Sequence, residues 1–447
     1  TLNFITGWRE IDQDFAIDFF NGTGPRGGYV IANEIENEQI TQEIKLTGST
    51  DRTNWTAGLF YLDEESSTLE LDLFGGNFVL GEWQMDNTAE SIAAYAQVDY
   101  ALNEAMTLTI GGRWTDEEKT LGYTDRIRAS YPAGISTFGT GVLPANRPTT
   151  ANIVARGIPT TLETSKFTPR VALTYEIDAD KLLFVSATNG FKSGGWNTRV
   201  TNAGAVTAFD PEEAWSYELG ARTEWFGRKL RVNGTFYFQE VTDLQLLSGT
   251  GDGQFVTRNS GDLQAFGFEY DIVAQPTEQF SFFLSGSFSD KDYNNVPARF
   301  GTGGVPCSNF PEPTNCTTER DDPVRYPDAQ ASFGTTYEIP MPSLMGSLAL
   351  NGAVTWSGPY WSSTYNDTRT VTAIPFGGST AITRPLSRVP STSTVNLSAV
   401  FRTDDDRWTA ALECSNCTEE YYATSSLFGL GYYNDPRRVT FRLRYEY

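Results

Sequence analysis

The run Ser91-Ile92-Ala93-Ala94-Tyr95-Ala96-Gln97-Val98-Asp99-Tyr100 decides the fold. In an extended chain successive side chains point to opposite sides, so Ile92, Ala94, Ala96, Val98 and Tyr100 share one face. Ala93, Tyr95, Gln97 and Asp99 share the other. After the turn Leu102-Asn103-Glu104-Ala105 the alternation resumes, with Leu108, Ile110, Gly112 and Trp114 against Thr107, Thr109, Arg113 and Thr115. One face suits lipid and the other suits water. The pattern returns at Leu230, Val232, Phe236 and Phe238 against Arg231, Asn233, Thr235, Tyr237 and Gln239. It returns again at Val439, Phe441, Leu443, Tyr445 and Tyr447 against Thr440, Arg442, Arg444 and Glu446.

A soluble sandwich also alternates, since one face of each of its sheets is wet. The lengths of the connections separate the two. Short turns fall near Ser49–Arg52, Asn103–Ala105, Asp178–Asp180, Phe226–Lys229, Pro276–Gln279, Pro340–Met345 and Thr403–Arg407. Between them lie long connections near 12–38, 65–88, 124–164, 192–212, 242–261, 290–327, 359–391 and 415–436. Short turns on one rim and long loops on the other are the arrangement of an outer-membrane barrel. The expected fold is therefore all-β, a transmembrane antiparallel β-barrel of about sixteen strands, with periplasmic turns and extracellular loops. Plugged transporters have about 22 strands, and Thr1–Trp8 reads as the interior of a strand. The sequence is accordingly expected to supply sixteen strands of such a barrel.

Composition bounds the function. No run approaches the ~20 apolar residues of a spanning helix, which excludes a helical membrane protein but not a barrel. The formal charge of -23 has the wrong sign for nucleic acid. There is no histidine, so a Ser/His/Asp or Cys/His catalytic constellation is ruled out. No enzyme activity, cofactor or metal centre is expected. The cysteines form two close pairs, and passage through an oxidising periplasm predicts local disulfides Cys307–Cys316 and Cys414–Cys417. The stretch 65–88 carries Glu65, Glu70, Asp72, Glu82 and Asp86 with no Lys or Arg. It reads as an acidic loop, either a divalent-cation binder through oxygen ligands or a solvated rim.

Several segments together resemble the TonB-dependent receptor family. They are Gln42–Leu46 with Trp55–Tyr61, Tyr95–Tyr100 with Gly111–Trp114, and Phe191-Lys192-Ser193-Gly194-Gly195-Trp196-Asn197. Asp210-Pro211-Glu212-Glu213, Ser216–Gly220, Asn259-Ser260-Gly261 with Gly267–Glu269, Asn416–Tyr421 and the closing Arg442–Tyr447 complete the set. The resemblance implies active import of a scarce, bulky nutrient such as a ferric siderophore across the bacterial outer membrane. It implies partnership with the TonB-ExbB-ExbD complex, and with outer-membrane lipid and lipopolysaccharide. In the family a plug domain and a TonB box precede the barrel; both, with the first strands, are expected to lie outside this sequence.

Recognition is expected in the long loops, because they vary without breaking the strand ladder. Trp196, Asn197 and Arg199, then Tyr360, Trp361, Tyr365 and Asn366, then Tyr421, Tyr422, Tyr432 and Tyr433 combine rings with amides. Such a mix suits a small or medium organic or metal-complexed ligand. The competing reading of the rings is an interfacial aromatic girdle. Arg113, Glu218, Arg222, Glu269 and Arg444 alternate toward the lumen, as permeation-path residues or as paired lumen charges. The competing functions are a passive porin, a surface-binding barrel, a glycan receptor and a secreted soluble β enzyme.

Overall fold

The structure is a computed structural model and describes all residues except 19–28, 75–77, 125–135, 138–147, 199–205, 250–254, 295–322, 363–387 and 428–429. Sixteen long strands form one antiparallel sheet in chain order. The first five are β1 (Leu2–Asp18), β2 (Tyr29–Ser49), β3 (Thr53–Phe74), β4 (Phe78–Ala101) and β5 (Met106–Thr124). Then come β6 (Thr161–Asp178), β7 (Lys181–Lys192), β8 (Glu212–Trp225), β9 (Leu230–Thr242), β10 (Asp262–Ala274) and β11 (Phe280–Asn294). The last are β12 (Ala329–Met341), β13 (Gly346–Ser357), β14 (Thr392–Thr403), β15 (Trp408–Ser415) and β16 (Arg438–Tyr445). The sheet's seventeenth member is the dipeptide Ser136–Thr137, paired in parallel with the upper end of β4. Among the described residues no ladder joins β1 to β16.

The register bears out the alternation. Ile92, Ile110, Trp114, Phe167, Val185, Leu219, Phe236 and Phe266 stay exposed on one face, as they must if lipid rather than water covers them. The seven short turns lie where the sequence places them, and three rest on side-chain chemistry. Asn103 Oδ1, Asp178 Oδ1 and Asp405 Oδ1 each accept the backbone N–H two residues on, closing Asx turns. Phe226, Gly227 and Arg228 all adopt positive φ, which tightens the turn between β8 and β9.

Two of the expected long loops are corrected. Most of 12–38 and 65–88 is strand, since β1 runs to Asp18, β2 starts at Tyr29, β3 ends at Phe74 and β4 starts at Phe78. The ladder continues above the bilayer, where Leu69 and Leu71 still alternate with Glu70 and Asp72. Leu69 and Leu71 are buried there instead of facing lipid, and the acidic residues between them make the stretch read as loop. The acidic stretch is therefore barrel wall rather than loop. Glu70 is buried within it, and Asp86 accepts hydrogen bonds from Ser67, Gln84 and Thr124. Among the described residues no group of three His, Cys, Asp or Glu side chains is placed to hold a metal.

The extracellular segments carry their own small core. The helix α1 (Thr150–Ala155) starts at Thr149, whose hydroxyl accepts the Asn152 N–H. It seats the fully buried Ile153 against Trp83, Met85, Leu121, Tyr123 and Val206.

Candidate ligand-binding rim

The loops above β7–β10 are tied into one body by amides. Gly194 and Gly195 let the chain leave β7 so that Gly195–Asn197 pairs with Thr207–Phe209. A Cβ on Gly194 would lie 2.6 Å from the Phe209 carbonyl oxygen, so no larger residue fits there. Asn197 is buried, and its Nδ2 donates to Thr207 Oγ1 at 2.8 Å and to the Thr257 carbonyl at 2.7 Å. Its Oδ1 accepts the Thr257 N–H at 2.6 Å, which bridges this hairpin to the hairpin Gln245–Gly249/Phe255–Asn259. Gln245 Nε2 donates to the carbonyls of Ser193 and Asp210. Asn259 accepts the Asp210 N–H and donates to the Asp210 and Asp243 carbonyls.

Three of the segments that carried the family resemblance thus converge on one hub. Trp196 belongs to it as well, with Nε1 donating to the Pro159 carbonyl at 2.7 Å. The polar groups of Trp196 and Asn197 are engaged in holding loops together. Arg199 lies outside the described residues.

A second cluster forms above β11–β16 and brings several expected residues together. Tyr360–Trp361 pairs with Arg388–Val389. Trp361 and Val389, one residue from each strand of the pair, are buried, and the Arg388 guanidinium stands 5.0 Å from the Trp361 ring centroid. From the preceding loop the Arg325 N–H donates to the Trp361 carbonyl at 2.6 Å. Burial raises the Tyr360 phenol above its ordinary range; the nearby Tyr422 adds to this and Arg325 opposes it.

The last loop supplies the other wall. Tyr421 and Tyr433 stack with centroids 4.5 Å apart and planes 5° from parallel, while Tyr421, Tyr432 and Tyr433 remain exposed. Two asparagines hold this loop. Asn416, in the left-handed region, donates to the Glu420 and Asp435 carbonyls and accepts the Glu420 N–H. Asn434 accepts the Tyr422 N–H. The expected disulfide Cys414–Cys417 closes the turn that presents Asn416. Tyr365, Asn366, Cys307 and Cys316 lie outside the described residues.

Sequence reading missed Arg325 and Arg388. Nothing local marks either one, because each gains meaning only from a contact between loops far apart in sequence. Lumenal orientation was legible: Arg113, Glu218, Arg222, Glu269 and Arg444 all alternate away from the apolar face. Three of them contact neighbouring side chains, Arg444 pairing with Glu446 at 2.6 Å. Arg113 sits over Phe60 and Tyr95, and Arg222 donates to Thr235 at 3.3 Å.

An antiparallel sheet with a lipid-suited face, a polar inner face, short turns on one rim and interlocked loops on the other defines an outer-membrane β-barrel. The chain belongs to the TonB dependent receptor-like, beta-barrel family, whose profile matches residues 1–417. Solved structures share its fold. The ferric yersiniabactin uptake receptor FyuA from Yersinia pestis aligns over 100% of this chain and 58% of its own, with a TM-score of 0.73 and 15% identity. The siderophore receptor PiuA from Acinetobacter baumannii covers 100% of this chain and 62% of its own, with a TM-score of 0.67 and 13% identity. The ferric-catecholate import receptor Fiu from E. coli K12 covers 99% and 61%, with a TM-score of 0.64 and 12% identity. The chain thus spans about three-fifths of the length of these structures.

Proposed function

We propose that this barrel belongs to an energy-driven outer-membrane importer that captures a bulky organic or metal-complexed nutrient, of the ferric siderophore class, at the rim above β11–β16. The observation that carries the reading is the meeting of Tyr360, Trp361, Arg325, Arg388 and Tyr422 from three separate loops. Family membership supports it, as do neighbours described as siderophore receptors. Rings offer contact area at low entropic cost, and guanidiniums favour carboxylate or catecholate oxygens. The pair of arginines favours a ligand that carries negative charge locally, even on a chain of net charge -23. Coupling to TonB-ExbB-ExbD, and contact with lipopolysaccharide, are part of the same proposal.

The test uses the full-length receptor in its own bacterium, grown on ferric hydroxamate, ferric catecholate or mixed-ligand siderophores as sole iron source. One of these should support growth only when the gene is present. Arg388→Ala with Tyr360→Ala should raise the concentration needed by about tenfold or more, since each lost anchor costs on the order of 1–2 kcal/mol. Unchanged growth at limiting siderophore would remove the rim from the account.

A further inference from the structure

The inner wall of the barrel is not chemically uniform. From β2 to β10 it carries charge on most strands, with Glu43, Arg113, Arg170, Arg222, Glu269 and Asp271 all turned inward. Many of these are engaged: Glu43 accepts the Tyr95 hydroxyl at 2.5 Å, and Arg231 pairs with Asp271 at 3.4 Å. Charge returns at β15 and β16, where Glu413 pairs with Arg442. Between them, β11 to β14 differ. The inward positions are the odd residues of 281–289, the even residues of 330–336, the odd residues of 349–357 and the even residues of 392–400. They hold Ser, Thr, Asn, Gln, Ala and Gly, one Phe and one Val, and no charged group. Charge bounds this panel at its ends, at the Lys291–Asp328 ion pair above and at Glu338 and Arg402 below. At about 4.8 Å per strand it is roughly 15–20 Å wide.

Two further observations fall on the same panel. Two concavities of the wall stack along it. The upper, about 600 Å³, has Ser285, Ser287, Gln330, Ser332 and Thr355 among its lining, and borders the charged wall at Arg222, Glu269 and Asp271. The lower, about 410 Å³, includes Ser281, Thr336, Asn351 and Ser398, and borders the charged wall at Glu413. The mouth of the panel also meets the ligand-binding rim. Arg325, Tyr360, Trp361 and Arg388 stand on the loops that join β11 to β12 and β13 to β14, the panel's own strands. Below Arg325, Tyr326 bonds Tyr237 on the inner wall at 2.7 Å, and Lys291 lies 4.8 Å from the Tyr326 ring centroid, which pins this segment to the panel's upper end.

We propose that the imported solute crosses the barrel along the neutral panel of β11–β14; the proposal rests on the importer reading above. A passage needs contacts strong enough to admit a polar solute and weak enough to release it at each step. Hydroxyls and amides meet that condition for a hydrogen-bonding solute. Charges in a low-dielectric wall would trap one sign and repel the other. Any body seated in the lumen is likewise held more firmly by the charged arc, so the gap that opens with least loss of interaction lies on the neutral side. The solute class is a hydrogen-bonding molecule whose negative charge is local, met by the rim arginines, and which otherwise presents neutral polar groups to the wall.

The test needs no identified ligand. Single cysteines are placed in the full-length receptor at Ser332 and Asn351 on the panel, and at Thr115 and Thr188 on the charged arc, Thr188 standing opposite Arg170. Intact cells are treated with a membrane-impermeant fluorescent maleimide, with or without a protonophore, and the receptor without an added cysteine gives the background. Heat-modifiable migration of Ser332→Cys, Asn351→Cys, Thr115→Cys and Thr188→Cys confirms that each is folded. Labelling at Ser332→Cys and Asn351→Cys should be about tenfold faster in energised cells, as expected for a rarely populated open state, while Thr115→Cys and Thr188→Cys change little. Energy-dependent labelling that is equal on both walls, or confined to the charged arc, overturns the panel as the path and leaves energised import standing. Labelling that ignores the protonophore at every position overturns energised import and the panel with it.

Discussion

At the scale of single residues, the rim is built by side chains that satisfy backbone groups of loops distant in sequence. Asn197 is the clearest, with two donated bonds and one accepted bond joining two hairpins. Asn197→Ala leaves the Thr257 N–H without its partner and should cost about 1–3 kcal/mol of local stability. Hydrogen exchange at Thr257 should therefore quicken by about tenfold or more, with the barrel still heat-modifiable. Unchanged exchange would mean that the bridge does not hold the hairpins. Tyr360 gives a pH signature. Its phenol titrates above its ordinary value because burial disfavours the phenolate. A raised value in the folded state means that its contribution is complete below the unfolded value, near 10, and is lost as pH rises through the folded value. Protease sensitivity of the loops above β13–β14 should rise in that alkaline window, and Tyr360→Phe should delay the rise. A Phe variant with the same pH profile as the parent would assign the change to another group.

At the scale of elements, how much was legible depended on what water and lipid do to a strand. Where one face meets lipid, Ile92, Val98, Ile110 and Trp114 reveal both strand and orientation, and the short turns follow from Asn103, Asp178 and Asp405. Along Asp12–Asp18 and Glu65–Phe74 the strands run on past the lipid-facing band. Leu69 and Leu71 still alternate with Glu70 and Asp72 but are buried rather than turned to lipid, and the density of acidic residues makes these stretches read as loop. The site divides in the same way. Ring-rich segments were visible, but the contacts Arg325 to Trp361 and Asn197 to Thr257 have no local pattern and become visible only once the loops are folded. Two element-scale predictions follow from the last loop and the last strand. Cys417→Ser removes the bridge under Asn416, and should expose the 415–436 segment to protease while leaving the folded yield intact; a resistant loop would show that its asparagines suffice. Removing Tyr445-Glu446-Tyr447 deletes the Trp408–Tyr445 ring contact at 4.7 Å and the bond from the Glu446 N–H to the Arg407 carbonyl. Assembly into the outer membrane should fail, and normal yields of heat-modifiable protein would count against a role for this strand end.

At the scale of the whole molecule, the outer face, the rim and the inner wall each have a distinct chemistry. The outer face is apolar and suits lipid. The rim gathers rings and guanidiniums above β11–β16, and the inner wall is neutral beneath its β11–β14 part. A passive pore would use none of this asymmetry, since diffusion through an open lumen needs neither a capture patch nor an energy source. The most direct measurement is uptake of radiolabelled iron, presented as ferric siderophores, by cells that carry the full-length receptor, compared with cells lacking its gene and cells lacking TonB. The account predicts that at least one ferric siderophore binds the cell surface through the receptor in the TonB-deficient cells but enters only when both proteins are present. Receptor-dependent entry at the same rate without TonB would contradict it.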